Sequence, residues 1–343
     1  MDARAFIAAV RSRVDGRLGS YLQEKRDEAA RLSPASLLLL DGVEALTMRG
    51  GKRLRPALAA AAHAAVAPDA DPNDATDLGA SLELLQSFLL IHDDWMDGDD
   101  ERRGGPAVHA AFRARVGNAH LANSLAVLAG DLAGTYAWEL FVGAPWPHGT
   151  RRSAERCFLR IHKEVFFGQH LDLTADPDVG RMHQLKTGSY TVRGPLLLGA
   201  MLAEADEAQQ AALERAAEPL GEAFQLADDL LGTFGDPSVT GKPAGNDLRA
   251  GKHNAVVAAA HELLPEHERE PVDVVLGMGS EADDEQVERA VALLEGAGVR
   301  ARVEERVAQR LAEADAALAR APLAEEGRAL LRAMAEMLAR RRA

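Results

Sequence analysis

The chain has 343 residues, with 39 Lys or Arg and 53 Asp or Glu, so its formal net charge is −14. This acidic balance argues against a nucleic-acid-binding protein, because neutralising phosphates requires a basic surface. With 47% hydrophobic and 27% charged residues, the chain is expected to form a globular protein with a large core. Its single cysteine, Cys157, excludes an intrachain disulfide and a cysteine-built zinc site, which favours a reducing, cytoplasmic location.

Intrinsic propensity favours helix along nearly the whole chain. Alanine, leucine and charged residues dominate, aromatic residues make up only 4%, and runs of β-branched residues are scarce. Gly and Pro mark the expected breaks, which fall at 67–73, 103–106, 143–147, 176–180 and 235–251. Between them apolar residues recur at helical spacing, as in Leu82, Leu85 and Leu89. The sequence therefore predicts an all-α protein, with residues 1–343 in a single domain and no segment suited to stable membrane insertion.

The first candidate functional segment runs from Gly50 to Pro56 and reads Gly-Gly-Lys-Arg-Leu-Arg-Pro. It places three cations beside two glycines. Arginine binds phosphate oxygens through paired hydrogen bonds and lysine acts as a point charge, so this segment could hold a diphosphate. Taken alone, such a cluster is more often a solubilising surface or a structural ion pair.

An acidic segment from His92 to Asp100 follows the apolar run Phe88–Ile91. Asp93 and Asp97 would share one face at the C-terminal end of a helix, where mutual repulsion and the helix dipole both disfavour them. A hard cation such as Mg²⁺ would offset this cost, because it takes one or two carboxylates and completes its coordination with water and phosphate oxygens. A solvated acidic helix end is the alternative interpretation.

A second acidic pair, Asp228 and Asp229, repeats this arrangement after the apolar segment Phe224–Ala227. Two such helices that faced each other would place metal-binding carboxylates on both rims of an apolar cavity. That geometry would suit a diphosphate carried on a hydrocarbon chain. The two acidic segments and the cationic segment together favour a functional interpretation more strongly than any of them alone.

Six segments in this order resemble the trans-polyprenyl diphosphate synthase family, which includes farnesyl and geranylgeranyl diphosphate synthases. The segments are Gly50–Pro56, Asp93–Asp97 with Arg102 and Arg103, Gly168–Asp172, Lys186–Thr187, Phe224–Asp229 and Gly241–Pro243. The resemblance implies the isoprenoid synthase fold, an antiparallel bundle of long helices around a central cavity, and a homodimer. It also implies a Mg²⁺-dependent, head-to-tail condensation of isopentenyl diphosphate with dimethylallyl, geranyl or farnesyl diphosphate.

The resemblance also implies a role for each matching residue. Three Mg²⁺ ions per active site would hold the allylic diphosphate through Asp93, Asp97 and Asp228. The departing diphosphate would be neutralised by Arg102, Lys186 and Lys242. Isopentenyl diphosphate would bind without metal to Lys52, Arg55, Gln86 and Arg103. The allylic cation would be sheltered by the oxygen dipoles of Thr187 and Gln225.

Three departures from the family pattern stand out. Gly232 occupies the place of a third aspartate in the second acidic motif of many relatives, and Asp229 or Asp236 is expected to supply the missing contact. Gln86 replaces a histidine of many bacterial relatives, but its amide can still donate to a diphosphate. The pair His253-Asn254 replaces a commoner Arg-Thr.

Product length is predicted from the helix that precedes Asp93. In the family, the fifth residue before the first aspartate often forms the floor of the cavity, and here that residue is Phe88. Because its neighbour Leu89 is not a second aromatic, the C20 product geranylgeranyl diphosphate is favoured over C15 farnesyl diphosphate. The alternative is that Phe88 only packs in the core.

Two further alternatives belong to other functional classes. A class I terpene cyclase shares the first aspartate motif but needs no second diphosphate site, so the intact segment from Gly50 to Arg55 argues against it. A noncatalytic regulatory subunit of a heteromeric synthase is disfavoured because both aspartate pairs are present.

Overall fold

The structure is a computed structural model that describes residues 2–174, 176, 178–236 and 243–339. Within these residues the chain is built almost entirely from helices, so the prediction of an all-α fold is confirmed. The α-helices are α1 (Ala3–Leu32), α2 (Leu37–Met48), α3 (Leu54–Val66), α4 (Thr76–Asp97), α5 (Val108–Val116), α6 (Ala119–Gly143), α7 (Arg151–Leu173), α8 (Val179–His183), α9 (Gly194–Leu202), α10 (Glu207–Phe234), α11 (Asn246–Arg249), α12 (Ala255–Leu263), α13 (Glu270–Met278), α14 (Asp284–Gly296), α15 (Val299–Ala319) and α16 (Glu325–Ala339).

In the described part of the chain, two short strands, a π-helix and three short 3-10 helices, Pro34–Ser36, Glu266–Glu268 and Gly279–Glu281, lie between the α-helices. Strands β1 (Glu101–Arg102) and β2 (Gly105–Pro106) pair in antiparallel register, with Arg102 opposite Gly105. The two turn residues both have positive φ, 53° at Arg103 and 70° at Gly104, as a two-residue hairpin turn requires. A π-helix, Gln184–Arg193, joins α8 to α9. The sequence predicted the break at 103–106, but neither the strands nor the π-helix.

Two compact units divide the chain, and each is described by itself. The first contains Met1–Glu155, Pro195–Ala205 and Ala324–Leu330, and the second contains Arg156–Gly194, Asp206–Leu323 and Leu331–Ala343. The expectation of a single domain over residues 1–343 stays a prediction.

The core of the first unit is centred on α4, which packs antiparallel against α6. The Ser81 hydroxyl donates to the carbonyl of Ala137 at 2.7 Å, and near the other end of α4 the imidazole of His92 lies 3.1 Å from the Val127 carbonyl. Small residues on α6 allow this approach, since a Cβ atom on Gly130 would lie 2.2 Å from Nε2 of His92. The apolar face of α4 that was predicted from helical spacing is buried at Leu82 and Leu85.

Helix α6 is long and apolar enough to cross a membrane by length and composition alone, which the sequence analysis did not anticipate. Of its 18-residue apolar window, 39% is buried inside the protein. The alanines that face α4, including Ala126, Ala129 and Ala133, are fully buried. These alanines form the face of α6 that packs in the core of the first unit.

The core of the second unit surrounds the C-terminal half of α10. Leu226, Leu230 and Phe234 of that helix belong to one buried cluster with apolar residues of α11 to α15. The N-terminus of α10 carries a capping box, in which Asp206 and Gln209 each accept a backbone N–H of the other. The packing of Leu226, Leu230 and Phe234 fixes the C-terminal end of α10, where Asp228 and Asp229 lie.

Candidate active site

The first acidic group lies on the last turn of α4, in the first unit. Gly98 ends the helix in the left-handed conformation, with a φ of 72°. As predicted from their spacing, Asp93 and Asp97 lie on one face; Asp93 is half-buried and Asp97 is exposed. Asp94, between them, is fully buried. The two outer carboxylates are therefore presented on one side of the helix end, while the middle one points into the protein.

Asp94 binds the guanidinium of Arg102 on β1. The Nε of Arg102 donates to Oδ1 of Asp94 at 2.6 Å, and its Nη2 lies 3.8 Å from Oδ2 of Asp93 and 3.3 Å from Oδ2 of Asp99. Burial raises the pKa of Asp94 to about 6, and the neighbouring Asp93 and Asp99 add to the rise while Arg102 opposes it. Arg102 therefore already neutralises part of the charge of the acidic group.

The hairpin that carries Arg102 is held by Arg49, which follows α2. Nη1 of Arg49 donates to the carbonyl of Arg102 at 2.6 Å and to that of Pro106 at 3.1 Å. A Cβ atom on Gly105 would lie 2.8 Å from Cζ of Arg49, so the guanidinium needs a glycine at that position. Sequence reasoning missed Arg49, because its partners are backbone carbonyls more than 50 residues away.

The cationic segment forms a tight turn between α2 and α3. Gly50, Gly51 and Arg53 all have positive φ, which favours glycine at the first two positions. Arg103 contacts this turn, because its Nη1 donates to the Gly50 carbonyl at 2.6 Å. The structure thus brings Arg103 to the segment that also carries Arg55 and the exposed Lys52.

Positive charge is concentrated around Arg103. Burial lowers the pKa of Arg103, and the nearby Arg53, Arg55 and Arg102 lower it further, while Glu83 opposes them. Like charges held this close repel one another, and a bound anion would relieve the repulsion. The geometry therefore fits a metal-free site for a phosphate or diphosphate.

Arg53 has a structural role. Only 1% of its side chain is exposed, and it pairs with Asp15 through Nε at 2.8 Å and with Glu83 through Nη1 at 2.5 Å. Its Nη2 also donates to the Thr47 carbonyl at 2.8 Å. The sequence grouped Arg53 with Lys52 and Arg55, but its burial among these partners separates it from them.

The remaining predicted residues of the first unit lie along α4. Gln86 is half-buried, two helical turns before Asp93, and Leu89 is also half-buried. Phe88 is buried, with its ring edge-on to that of His92 at a centroid distance of 4.9 Å. A Cβ atom on Gly134 would lie 3.3 Å from Cγ of Phe88, so this ring packs in the α4–α6 interface.

In the second unit, α7 and the π-helix bring Asp172 and Lys186 together. Nζ of Lys186 donates to Oδ2 of Asp172 at 2.5 Å. A Cβ atom on Gly168 would lie 2.2 Å from the backbone nitrogen of Lys186, so only glycine permits this approach. Thr187 follows directly in the same π-helix, a type of helix that is often found at functional sites.

The second acidic group lies at the end of α10, and its two aspartates differ. Asp228 is half-buried, whereas Asp229 is buried and accepts hydrogen bonds from Nε2 of Gln225 at 2.8 Å and from the backbone N–H of Ala255 at 2.9 Å. Burial raises the pKa of Asp229 to about 7, with smaller increases from Asp247 and Asp228, while the two hydrogen bonds lower it.

Asp247 is the carboxylate that lies nearest to Gly232. A Cβ atom on Gly232 would lie 2.0 Å from Oδ2 of Asp247, which also lies 3.4 Å from Nδ2 of Asn254. Oδ1 of Asp247 lies 3.4 Å from Nζ of Lys252. The sequence analysis expected Asp229 or Asp236 beside Gly232 and missed Asp247, which is 15 positions away on α11.

Of two other positions of the sequence analysis, only Asn254 can be placed. Asn254 caps α12, because its side-chain oxygen accepts the backbone N–H groups of Val256 and Val257. Asn254 thus fills a capping role that a threonine could also fill. Lys242, predicted to bind the departing diphosphate, lies outside the described residues.

The donor chemistry of the acidic groups fits Mg²⁺. Asp93, Asp97 and Asp228 offer only carboxylate oxygens, which are the hard ligands that this ion prefers. Among the described residues, no group of three or more His, Cys, Asp and Glu side chains is arranged to hold a metal ion by itself. An ion bound here would take its remaining ligands from water and from the phosphate oxygens of a substrate.

Comparison with known proteins gives consistent results. The sequence profile of the family described as polyprenyl synthetase matches residues 37–294. A geranylgeranyl diphosphate synthase of Mycobacterium tuberculosis is 38% identical over 255 residues, which are 72% of this chain and 69% of that protein. A geranylfarnesyl diphosphate synthase of Aeropyrum pernix is 31% identical over 322 residues, covering 91% of this chain and 94% of that protein.

A solved structure is similar over the full length of both chains. It is the geranylgeranyl pyrophosphate synthase of Corynebacterium glutamicum, complexed with isoprenyl diphosphate and magnesium. The TM-score is 0.89, with 31% sequence identity and 100% coverage of each chain. This similarity confirms the isoprenoid synthase fold.

Proposed function

This chain belongs to the polyprenyl synthetase family and is a prenyltransferase that makes prenyl diphosphates, and we propose that its main product is geranylgeranyl diphosphate (C20). Two of the similar proteins carry that name, whereas the protein from Aeropyrum pernix is named for a longer product. The substrates in this proposal are isopentenyl diphosphate and dimethylallyl, geranyl or farnesyl diphosphate.

The allylic diphosphate binds through Mg²⁺ to Asp93, Asp97 and Asp228, with three ions per active site. When bound, the metal supplies electrostatic stabilisation of the charge that develops on the leaving diphosphate. Lys186 and Arg102 add positive charge, and each is held by a carboxylate, Lys186 by Asp172 and Arg102 by Asp94. Lys242 has the same role in this proposal.

Isopentenyl diphosphate binds to the cationic turn in the first unit, without metal. Arg103 contacts that turn through the Gly50 carbonyl, and its guanidinium is partly buried beside that of Arg55. Lys52 and Gln86 complete the set of donors. Charge-assisted hydrogen bonds from arginine to phosphate are roughly twice as strong as neutral ones, which suits a site that must hold a dianionic group.

The reaction begins when the bond between C1 of the allylic substrate and its diphosphate oxygen breaks. The bonding electron pair leaves with the diphosphate, where the fixed positive charges stabilise it. The double bond of isopentenyl diphosphate then attacks the allylic cation, which forms the new carbon–carbon bond. Loss of a proton from the cation formed by this attack to the released diphosphate restores a double bond. Before the attack, the oxygen dipoles of Thr187 and Gln225 stabilise the allylic cation.

Product length depends on where the growing chain meets a barrier along α4. Phe88 lies five residues before Asp93, and one helical turn spans ~5.4 Å, so a barrier there stops the chain after a few isoprene units. The ring is held firmly between His92 and Gly134, as a floor must be. Leu89, beside it, is smaller than a second aromatic ring and leaves room for the C20 chain.

The observation that carries the proposal is the contact between Arg103 and the cationic turn, ten residues after Asp93 on the same stretch of chain. Because of this contact, the first unit carries both a carboxylate pair that could bind metal, Asp93 and Asp97, and a cationic site that could bind a diphosphate without metal. The test is incubation of the purified protein with isopentenyl diphosphate, each allylic diphosphate and Mg²⁺, followed by chromatography of the products. Geranylgeranyl diphosphate as the main product supports the proposal, whereas a main product of C15, or one longer than C20, overturns the proposed chain length. If none of the allylic diphosphates is elongated, the proposed activity is wrong.

The protein acts in the cytoplasm as a homodimer in this proposal. Helix α6 exposes Leu121, Leu128 and Val142 at helical spacing, which gives it an apolar stripe that a second copy would cover. Light scattering that gives the mass of one chain at micromolar concentration would contradict the dimer.

A further inference from the structure

Asp229 differs from its neighbour Asp228 in the direction of its carboxylate. It is buried, with Oδ1 accepting from Nε2 of Gln225 on its own helix and Oδ2 accepting from the backbone N–H of Ala255 on α12. Both oxygens are therefore occupied by donors inside the second unit. A metal ligand needs an oxygen that faces the substrate, and the half-buried Asp228 is better placed for that role.

The contact with Asp229 also fixes which end of the Gln225 amide faces it. A side-chain amide has an NH₂ donor at one end and a carbonyl acceptor at the other, and the two ends are nearly the same size. A carboxylate attracts the NH₂ end and repels the carbonyl end. Since the Ala255 N–H occupies Oδ2, Oδ1 receives the Gln225 NH₂ group, and the carbonyl oxygen of Gln225 faces away from Asp229.

Gln225 lies on the face of α10 that meets the π-helix. Gly221 is one turn earlier on the same face, and a Cβ atom there would lie 3.1 Å from the Cα atom of Gly188. Gly188 directly follows Thr187, the other residue whose oxygen is proposed to stabilise the cation. Both proposed oxygen dipoles thus belong to the region where α10 and the π-helix touch.

We propose that Asp229 is a positioning residue that holds the carbonyl oxygen of Gln225 toward the allylic cation. This inference rests on the proposed prenyl transfer and assigns Asp229 a role other than metal binding. A carbonyl oxygen stabilises positive charge that develops nearby, whereas an amide NH₂ group in its place destabilises that charge. The orientation of one amide therefore decides the sign of its contribution to the transition state.

Replacement of Asp229 by asparagine reverses that orientation in a predictable way. The Ala255 N–H can only donate, so it requires the oxygen of the new side-chain amide at position 229, and the NH₂ group of that amide then faces Gln225. Gln225 must present its own carbonyl to that NH₂ group, which turns its NH₂ end toward the cation. We expect Asp229→Asn to lower kcat on the order of 10²-fold, with little change in KM for either diphosphate.

A second change is expected to rescue this variant. Ala255 is the first residue of α12, a position where proline is well tolerated, and Ala255→Pro removes the N–H that binds Oδ2. In the double variant Asp229→Asn/Ala255→Pro, the introduced amide can turn its NH₂ group toward residue 255 and its oxygen toward Gln225. We expect Ala255→Pro alone to lower kcat far less than Asp229→Asn does, because the Gln225 NH₂ group can still bind Oδ1, and the double variant to recover part of the kcat lost in Asp229→Asn.

The experiment measures kcat and both KM values in the mildly alkaline range, where carboxylates are ionised. It also measures the affinity of each variant for Mg²⁺ with inorganic pyrophosphate by calorimetry. Recovery of kcat in the double variant, with unchanged Mg²⁺–pyrophosphate affinity throughout, supports the positioning role. A double variant slower than Asp229→Asn, or an Asp229→Asn variant that loses Mg²⁺–pyrophosphate affinity as Asp228→Asn does, overturns it.

A measurement on the wild-type protein keeps the proposal testable if Asp229→Asn does not fold. The side-chain amide signals of Gln225, assigned by their loss in Gln225→Leu, are expected to exchange slowly with solvent because the NH₂ group binds a buried carboxylate. Fast exchange of these protons overturns the inference. If the wild-type protein itself makes no prenyl diphosphate, the proposed function fails, which is a separate result.

Discussion

A Cβ atom on Gly232 would lie 2.0 Å from Oδ2 of Asp247, so a side chain at position 232 and the present position of Asp247 exclude each other. Gly232 is four residues after Asp228 and therefore shares its face of α10. The carboxylate of Asp247 reaches this face from α11 and is held there by Lys252 and Asn254. The acidic group at the end of α10 thus includes a carboxylate from a different helix.

The exclusion predicts a stability effect for Gly232→Ala. Asp247 must move away from Lys252 and Asn254, so we expect the free energy of unfolding to fall by about 1–3 kcal/mol in spite of the better helix propensity of alanine. Urea denaturation measures this change. Gly277→Ala is the matched control, because a Cβ atom there meets nothing within 4 Å. The steric explanation is wrong if Gly232→Ala lowers the free energy of unfolding no more than Gly277→Ala does. It is also wrong if adding Asp247→Ala to Gly232→Ala does not restore part of the lost stability.

Removal of a proposed metal ligand should abolish turnover without unfolding the protein. Asp93→Ala and Asp228→Ala each delete a carboxylate from an acidic group and reduce repulsion between like charges, so stability should stay level or rise slightly. Steady-state assays at limiting Mg²⁺ and circular dichroism test both statements. Asp69→Ala, in the exposed loop before α4, is the control. Near-normal turnover in either variant would show that the metal assignment is incorrect.

Loss of an arginine from the cationic site should weaken isopentenyl diphosphate binding. A charge-assisted bond to phosphate contributes about 1.5–3 kcal/mol, so Arg55→Ala and Arg103→Ala should each raise KM for this substrate roughly 10- to 100-fold. The KM for the allylic substrate should change less. Arg113→Ala, which removes a surface pair with Asp100, should change neither value. A larger effect on the KM for the allylic substrate would show that the two substrate sites are assigned the wrong way round.

Shortening Phe88 should lengthen the product. Phe88→Ala opens space along α4 and should shift the main product by at least one C5 unit, as measured by chromatography. The variant should also lose about 3–5 kcal/mol of stability because the ring is buried. Phe112→Ala removes another buried ring, packed against Gly42, and should destabilise the protein without changing the product. An unchanged product in a folded, active Phe88→Ala variant removes Phe88 from this role.

Burial of Asp94 predicts a pH dependence of stability in the metal-free protein. Its pKa is about 6 in the folded protein against an ordinary value of 3.8, so the folded state keeps a proton that the unfolded chain has released. The bound proton therefore stabilises the folded state. Its contribution to the free energy of unfolding is complete below about pH 4 and is lost as the pH rises through 6. Between about pH 5.5 and 8, the wild type should therefore lose on the order of 1 kcal/mol relative to Asp94→Asn.

Urea denaturation of the two proteins at both pH values measures that difference. Asp99→Asn is the control, since Asp99 is half-exposed and contacts the same arginine. A constant difference between the wild type and Asp94→Asn across this range would contradict a raised pKa.

The residues that sequence alone could place are those set by short-range spacing. Asp93 and Asp97 lie on one face because they are four residues apart on a helix, and the Gly-Pro breaks coincide with the ends of α3, α6 and α10. Arg103 was a candidate because it closely follows the first aspartates, and the structure brings it to the cationic turn. That the acidic groups of the two units serve one substrate stays a prediction.

Other features depend on contacts that spacing does not encode. Arg53 resembles its neighbours Lys52 and Arg55 in sequence, and only its burial against Asp15 and Glu83, 38 and 30 residues away, separates it from them. The second acidic pair reads as two equal aspartates, yet Asp229 turns inward because the N-terminus of α12 offers it a backbone N–H. The partner of Gly232 could not be found because it belongs to another helix.

The π-helix ties the contacts of Lys186 and Gly188 to the number of residues in this segment. Its hydrogen bonds join residues five apart, so it holds about one residue more per turn than an α-helix. Loss of one codon between residues 184 and 193 would let the segment close as an α-helix, which would keep the flanking residues in register but shift the residues inside the segment around the helix axis. Lys186 could then no longer meet Asp172 while Gly188 stayed against Gly221. A change of length in this segment would therefore alter its contacts with α7 and α10 together, whereas a single substitution would alter one of them.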